Sequence, residues 1–411
     1  MASVALLWFV SMYSIFFSVF WLNLYFSRGK KEITRNPLKS FPKVSVIIPA
    51  YNEEKKIAEC IESLLNMDYQ KNKLEIIVVD DGSTDGTAKV AAGFEPRGIV
   101  LVKKKNGGKG SALNAGLAKA SGEFVACMDA DSITEKDTLK KLLSGFSDEK
   151  VAAVTPAMKV YRPKNLLQRL QGMEYVLAIL LRKLMSDIDT MQVTPGPFSV
   201  YRKSILDEIG HFDEKSLVED TEIAYRIHYH KYKIKNVADA YVYTYCPQTL
   251  GSLKNQRIRW YRGLYRTLVQ YKEMILNPRY GNFSMFHLPT MTLSVVLMFL
   301  ALFLYISTFF EYLTLQANIL TLVGPGYYVP VWSELFRFNS VLSVNLLSWF
   351  PIIATFVTGF YVLRLAYKIS RERLRDSIVY LLPGILFYYS ILTVFWIMAL
   401  SKEWSGARSR W

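Results

Sequence analysis

Four stretches of this chain, Ala2–Phe26, Phe283–Phe310, Val341–Leu363 and Ile378–Leu400, contain no Asp, Glu, Lys or Arg. As a helix, each is long enough to cross a hydrocarbon layer of about 30 Å, and a helix is the form in which a lone segment satisfies its own backbone in lipid. Most of what must fold in water therefore lies between the first and second stretches. Arg28, Lys30, Lys31, Arg35, Lys39 and Lys43 follow the first stretch, and Arg364, Lys368, Arg371, Arg373 and Arg375 join the last two. Basic residues stay on the cytoplasmic side, so both segments are expected inside, with the N-terminus outside. Glu311–Ser340 has Arg337 as its one base and is expected outside. Within it, apolar Ile319–Trp332 with Gly324, Pro325 and Gly326 reads as re-entrant. One tension remains, because four crossings put Lys402, Arg408 and Arg410 outside. No base precedes the first stretch, as a secretory leader would require. The expectation is a multi-pass protein of the cell membrane, its soluble domain cytoplasmic.

A membrane protein with this bias accounts for the net charge of +15 without any nucleic-acid partner. The three cysteines, Cys60, Cys127 and Cys246, are too widely spaced for a metal motif or a disulfide framework, which suits a reducing compartment. His228 and His230 stand two apart on an expected helix, point in different directions and make a poor metal pair.

From Val44 onward, apolar runs alternate with helical patterns. Val44–Ala50, Leu74–Asp80, Gly98–Lys103, Glu123–Asp129 and Val151–Val160 read as strands. Glu53–Asn66, a segment from about Thr84, and Lys109–Ala120 read as helices. That alternation predicts an α/β domain with a mostly parallel sheet covered on both faces. Asn165–Met185 has apolar residues at helical spacing and is too short to span, so it is expected as an amphipathic helix that either packs on the domain or, the favoured reading, lies on the membrane surface. The expected division is a membrane helix over 1–27, a cytosolic domain over 28–246, interface helices over 247–282 and a membrane region over 283–411.

In open α/β sheets, ligands bind at the carboxyl ends of the strands, and here those ends are acidic. The first runs into Pro49, Tyr51 and Glu53, the second into Asp80-Asp81-Gly82-Ser83, and the fourth into Asp129-Ala130-Asp131. Each alone is as readily a turn or a helix cap. Three in succession suit a hard divalent cation, Mg²⁺ or Mn²⁺, that brings substrate phosphates. No P-loop or Gly-x-Gly-x-x-Gly is present, and Lys109 at a helix start is placed to assist a diphosphate. Val218-Glu219-Asp220-Thr221 opens a further helix, with Asp220 a candidate cap. Gln256-Arg257-Ile258-Arg259-Trp260 sets an amide, two guanidiniums and an indole within two helical turns; alone, it could equally be an interfacial helix.

Taken as an ordered set, Asp80-Asp81-Gly82-Ser83, Asp129-Ala130-Asp131, Glu219-Asp220 and Gln256–Trp260 resemble family-two glycosyltransferases of the Rossmann-like GT-A fold. The nearest likeness is to the membrane-embedded processive branch: hyaluronan, cellulose, chitin and poly-N-acetylglucosamine synthases. Thr194–Arg202 resembles the acceptor-side segment of hyaluronan synthases, while Val218 departs from the Thr common before Glu-Asp. The resemblance covers about Val44–Arg266 and the flanking spans. It implies that Asp80 or Asp81 contacts base and ribose, and that Asp129 and Asp131 hold metal and diphosphate. Asp220 would be the general base, and Gln256, Arg259 and Trp260 would hold diphosphate and acceptor sugar. The resemblance also implies a UDP-sugar donor, a growing polysaccharide as acceptor and a lipid bilayer as partner. The alternative is transfer of one sugar to a membrane lipid of the ceramide or polyprenyl-phosphate type. A transporter is disfavoured, because the spans hold no charge pairs or repeats.

Overall fold

The computed structural model describes residues 2–29, 41–327, 346–381 and 384–406. Its soluble part is one eight-stranded sheet. The strands are β1 Val44–Ala50, β2 Leu74–Asp80, β3 Ile99–Lys103, β4 Phe124–Cys127, β5 Ser132–Thr134, β6 Val151–Val160, β7 Ser199–Arg202 and β8 Lys233–Thr244, in spatial order β3-β2-β1-β4-β7-β6-β8-β5. β3, β2, β1 and β4 are parallel, as the alternation predicts. β7 then pairs antiparallel with both β4 and β6, and β5 antiparallel with β8. The chain runs outward from β1 through β2 and β3, then returns to β4 on the other side of β1. That reversal opens a crevice beyond the ends of β1 and β4.

β1 sends alternate side chains to opposite faces. Val46 and Ile48 join Ile57, Ile61 and Leu64 of helix α2 (Ile57–Leu65) on one face. On the other, Ile47 meets Ala112 and Leu113 of α4 (Lys109–Leu117) and Ile223 of α8 (Glu219–Tyr229). α4 lies so close that a Cβ on Gly116 would stand 2.4 Å from Ile47 Cγ2. α3 (Thr87–Ala92), α5 (Thr138–Leu143) and α7 (Lys203–Ile209) complete the layers.

α6 (Leu166–Asp187) departs from the expected membrane-surface position. Protein takes up its apolar stripe. Ile179 packs on Ala157 of β6 and Tyr241 of β8. Leu170 packs with Leu253 and Ile258 of α9 (Leu250–Gln270) and with Leu392, Phe395 and Ala399 of the C-terminal helix Tyr389–Trp404.

Among the described residues, three helices are long and apolar enough to cross a membrane, lying within Leu6–Arg28, Phe283–Leu322 and Phe350–Ser370. They belong to α1 (Ala2–Leu24), α10 (Leu288–Leu322) and α11 (Leu346–Ser370). Tyr13 of α1 donates to the Thr290 carbonyl of α10 at 2.9 Å, and the rings of Trp8 and Phe350 stack 6.3 Å apart. At 1.5 Å per residue, the 35 residues of α10 run about 52 Å. The helix therefore absorbs Glu311–Leu322, expected as an outer loop, because one Glu does not break an apolar helix. The fourth expected span gives a shorter α12, Tyr389–Trp404, of 16 residues after a π turn of 5 at Gly384–Tyr388. Lys30, Lys31, Arg35, Lys39, Arg337, Arg408, Arg410 and the rest of the re-entrant segment lie outside the described residues.

Candidate active site

Beyond β1 the chain turns at Asn52, held in the left-handed region at φ 57. The Asn52 amide donates to Ser83 Oγ at 3.0 Å, and Asn52 Oδ1 accepts from the Thr84 amide at 2.8 Å. These bonds latch the β1 turn to the turn after β2. Pro49 pairs in register with Val79 at the crevice edge. Tyr51 keeps 45% of its surface exposed, which leaves an aromatic face open at the rim. The two aspartates after β2 divide their work. Asp81 accepts from the Gly107 and Gly108 amides at 3.0 and 2.8 Å and from Lys104 Nζ at 2.6 Å, so it folds the Lys104–Gly108 loop. The Asp80 carboxylate accepts only from the Ser83 amide, at 3.2 Å, among the described residues. Of the pair, Asp80 is the one with an oxygen to spare.

Two lysines hold the acidic centre together. Lys109 Nζ lies 2.7 Å from Asp129 and 2.8 Å from Glu219, while Lys56 Nζ lies 3.2 Å from Glu53 and 3.6 Å from Asp131. Burial, with the Asp129 carboxylate beside it, pushes Asp131 up to about 6. No group of three His, Cys, Asp or Glu poised around a metal occurs among the described residues. Asp129 and Asp131 nonetheless fit a hard cation: they are two oxygen donors two residues apart, and Asp131 resists ionising beside its neighbour. With two protein ligands only, such an ion needs further oxygens from a bound diphosphate.

The Thr194–Ser199 segment backs this centre. A Cβ on Gly196 would lie 2.5 Å from Lys109 Nζ and 2.6 Å from Asp129 Oδ1, so any side chain there displaces the pair. Thr194 donates to the Asp220 carbonyl through its amide at 3.1 Å and its hydroxyl at 2.9 Å. Tyr201 donates to Thr194 Oγ1 at 2.8 Å. Phe198 is fully buried and sits at φ 61, a strained conformation for a non-glycine residue.

Asp220 is not a helix cap. The residue capping α8 is Val218, which makes no side-chain cap bond, and among the described residues the Asp220 carboxylate accepts only from Thr221 Oγ1, at 3.3 Å. Burial and the adjacent Glu219 push Asp220 up to about 6, with Lys109 and Arg259 acting against them. Glu219 is buried on Lys109, whereas Asp220 is only half-buried.

α9 opens on a capping box between Thr249 and Ser252. A Cβ on Gly263 would stand 2.3 Å from Val218 Cγ2, and this close approach sets α9 against the start of α8. Arg257 is buried, forks onto Glu174 of α6 at 2.9 and 2.8 Å, and lies 4.5 Å from the Trp260 ring centre. It therefore orients Trp260, a role distinct from that of Arg259, whose charge acts on Asp220. Gln256 Oε1 is buried without a partner among the described residues. His228, fully enclosed, bonds the Met191 carbonyl at 2.7 Å and stacks on Phe283, an ordinary structural histidine. Sequence reasoning missed Lys56 and Glu174, and named Gly196 only as part of Thr194–Arg202. Only Glu174, an acid on an otherwise apolar helix face, carried a readable signal.

A family model described as glycosyl transferase family 2 matches residues 45–210. The poly-beta-1,6-N-acetyl-D-glucosamine synthase of Staphylococcus aureus is 28% identical over 274 residues, 64% of this chain and 66% of that protein. The Staphylococcus epidermidis synthase of the same name is 29% identical over the same shares. Each match thus spans just under two thirds of the relative's length. A mannosyltransferase from Pyrobaculum calidifontis, solved with GDP-Man and Mn²⁺, superposes with a TM-score of 0.63 at 21% identity, covering 99% of this chain and 98% of that one. It shares the fold from end to end. Residues 45–210 thus carry a glycosyl transferase family 2 domain, and the chain has the GT-A fold.

Proposed function

We propose that this protein is an inverting, processive membrane glycosyltransferase that extends a β-linked polysaccharide from a UDP-sugar, N-acetylglucosamine being the first candidate. The carrying observation is that Asp220 stands between two sets of groups. On one side are the Lys109–Asp129 pair and Gly196, the donor end of the crevice. On the other is α9, with Trp260 steadied by Arg257 at the acceptor end and Arg259 acting on Asp220 between the two. The likeness to two poly-N-acetylglucosamine synthases supports the choice of sugar.

In this reading Tyr51 and Asp80 hold the nucleoside. Asp220 removes the proton of the acceptor hydroxyl as that oxygen attacks the anomeric carbon. A C–O glycosidic bond forms, the bond from that carbon to the β-phosphate oxygen breaks, and UDP leaves with the electron pair. Arg259 and Lys109 face the departing charge. A Mg²⁺ or Mn²⁺ ion held by Asp129 and Asp131 would neutralise the diphosphate. A single displacement needs one base and no carboxylate nucleophile. Its product would be passed outward through the bilayer, with the catalytic domain in the cytoplasm.

The test is purified protein with Mn²⁺ and a panel of labelled UDP-sugars. Label from UDP-N-acetylglucosamine in macromolecular product is the expected result. Label that stays in a lipid-soluble monosaccharide product would instead mean single-sugar transfer to a lipid.

A further inference from the structure

α6 carries polar groups along the stripe it buries: Gln168, Gln171, Glu174, Tyr175 and Arg182. Three are accounted for by protein partners. Gln168 donates to the Cys246 carbonyl at 3.1 Å, Gln171 to the Pro247 carbonyl at 2.9 Å, and Glu174 holds Arg257. Two are not. Tyr175 is 9% exposed, and its hydroxyl has no hydrogen-bond partner among the described residues. Arg182 stands seven residues on, about 20° round the helix from Tyr175 and thus on the same line. Among the described residues its one hydrogen-bond contact is from Nη1 to the sulfur of Met158, at 3.5 Å.

A guanidinium carries five donors, and enclosing it without an acceptor is unfavourable. Burial accordingly lowers the Arg182 pKa. Yet neither the free nitrogens of Arg182 nor the Tyr175 hydroxyl are among the side-chain atoms sealed from solvent without a bond. Both groups therefore keep some surface open to solvent. The charged groups acting on Arg182 are Asp220 and Glu174, with the Tyr175 phenol; Asp129 and Asp131 are not among them. Glu174 in turn fixes Arg257 beneath Trp260. That open surface thus lies on the Glu174 side of the helix, near the Arg257–Trp260 pair.

We propose that Tyr175 and Arg182 line the acceptor subsite and donate hydrogen bonds to hydroxyl or acetamido oxygens of the terminal sugar whose hydroxyl Asp220 deprotonates. This rests on the polysaccharide reading above and adds two binding residues to it. A guanidinium bonding neutral oxygens suits an uncharged sugar chain, and its planar fork reads the spacing of two oxygens.

The test varies a β-linked N-acetylglucosamine oligomer as acceptor at saturating UDP-N-acetylglucosamine. Arg182→Gln should raise the acceptor KM about 10-fold or more, the worth of a hydrogen bond to a charged donor. UDP affinity and acceptor-independent hydrolysis of the donor should stay within about two-fold of wild type, since neither uses the acceptor subsite. Tyr175→Phe removes only one oxygen and keeps the packing, so it serves if the Arg182 variant folds poorly; its acceptor KM should rise several-fold. A loss of UDP affinity with unchanged acceptor KM would put the guanidinium on the diphosphate and overturn the proposal. Unchanged acceptor KM in both variants also overturns it. If wild type transfers nothing to the oligomer, the polysaccharide reading fails and the subsite with it.

Discussion

Asp220 stands second in α8 and caps nothing, so its conservative variant separates chemistry from stability. Asp220→Asn should lower turnover about 100- to 10,000-fold, the usual loss of a general base. Stability should hold or rise. The folded pKa of Asp220 is raised to about 6, so its ionisation opposes folding. That penalty is absent below the unfolded value near 4 and fully present above about 6, and an amide never ionises. The same carboxylate sets the acid limb: kcat should climb with pH through about 6 and flatten above it. Turnover within a few-fold of wild type in the Asn variant, at unchanged Tm, would move the base to Glu219. Asp131→Asn should abolish Mn²⁺-dependent UDP binding in a calorimetric titration while the protein melts normally. Retained metal dependence there would remove Asp131 from the ligand set. Asp129, Asp131 and Asp220 were legible because carboxylates at strand ends and helix starts can be placed from pattern alone. The division between Asp80 and Asp81 was not. It depends on the Lys104–Gly108 loop returning to Asp81, a contact 26 to 27 residues away in sequence.

At the scale of elements, the Gln256–Trp260 helix was readable as a helix, but its partner was not. The buried fork between Arg257 and Glu174 joins α9 to α6, and Tyr388 adds a third group at 2.6 Å from Glu174. Removing one member leaves a buried charge uncompensated, so Glu174→Gln should cost about 3–5 kcal/mol. Thermal melting measures that loss directly. The indole of Trp260 loses its support with it, so the acceptor KM should rise more than the UDP Kd; equal changes would mean the pair only stabilises the fold. α6 itself reads as a membrane-surface helix because an apolar stripe looks the same whether lipid or a sheet covers it. β7 and β8 escaped for a related reason. β7 has four residues, too few for a period to show, and β8 places Lys233, Lys235, Asn236 and Asp239 along a strand whose pattern is set by the neighbours it packs on.

For the whole molecule, hydropathy marks where apolar runs lie but not which of them cross. α12 bears on this directly. Its start is tied to α9 through Tyr388, Glu174 and Arg257, and its end through Glu403, which accepts from Arg262 at 2.7 Å and pairs with Arg266 at 2.5 Å. Between those ties, Leu392, Phe395 and Ala399 pack with Leu253 and Ile258 of α9. Both ends of α12 are thus fastened to the helix that carries Arg259 and Trp260, and its 16 residues reach about 24 Å, short of a bilayer core of about 30 Å. We propose that a helix held along α9 in this way stays on the side of the catalytic domain and does not cross. Counting α1, α10 and α11 as the crossings puts Lys402 inside with the Arg364–Arg375 bases, which removes the charge conflict that four crossings create. The expected outcome is that a cysteine at Lys402 in a background lacking the three native cysteines resists an impermeant thiol reagent added outside intact cells. It should react once the membrane is opened, as a cysteine at Arg371 should. Labelling at Lys402 from outside, with Arg371 still protected, would restore the fourth crossing and require the Glu403 contacts to Arg262 and Arg266 to break in the membrane.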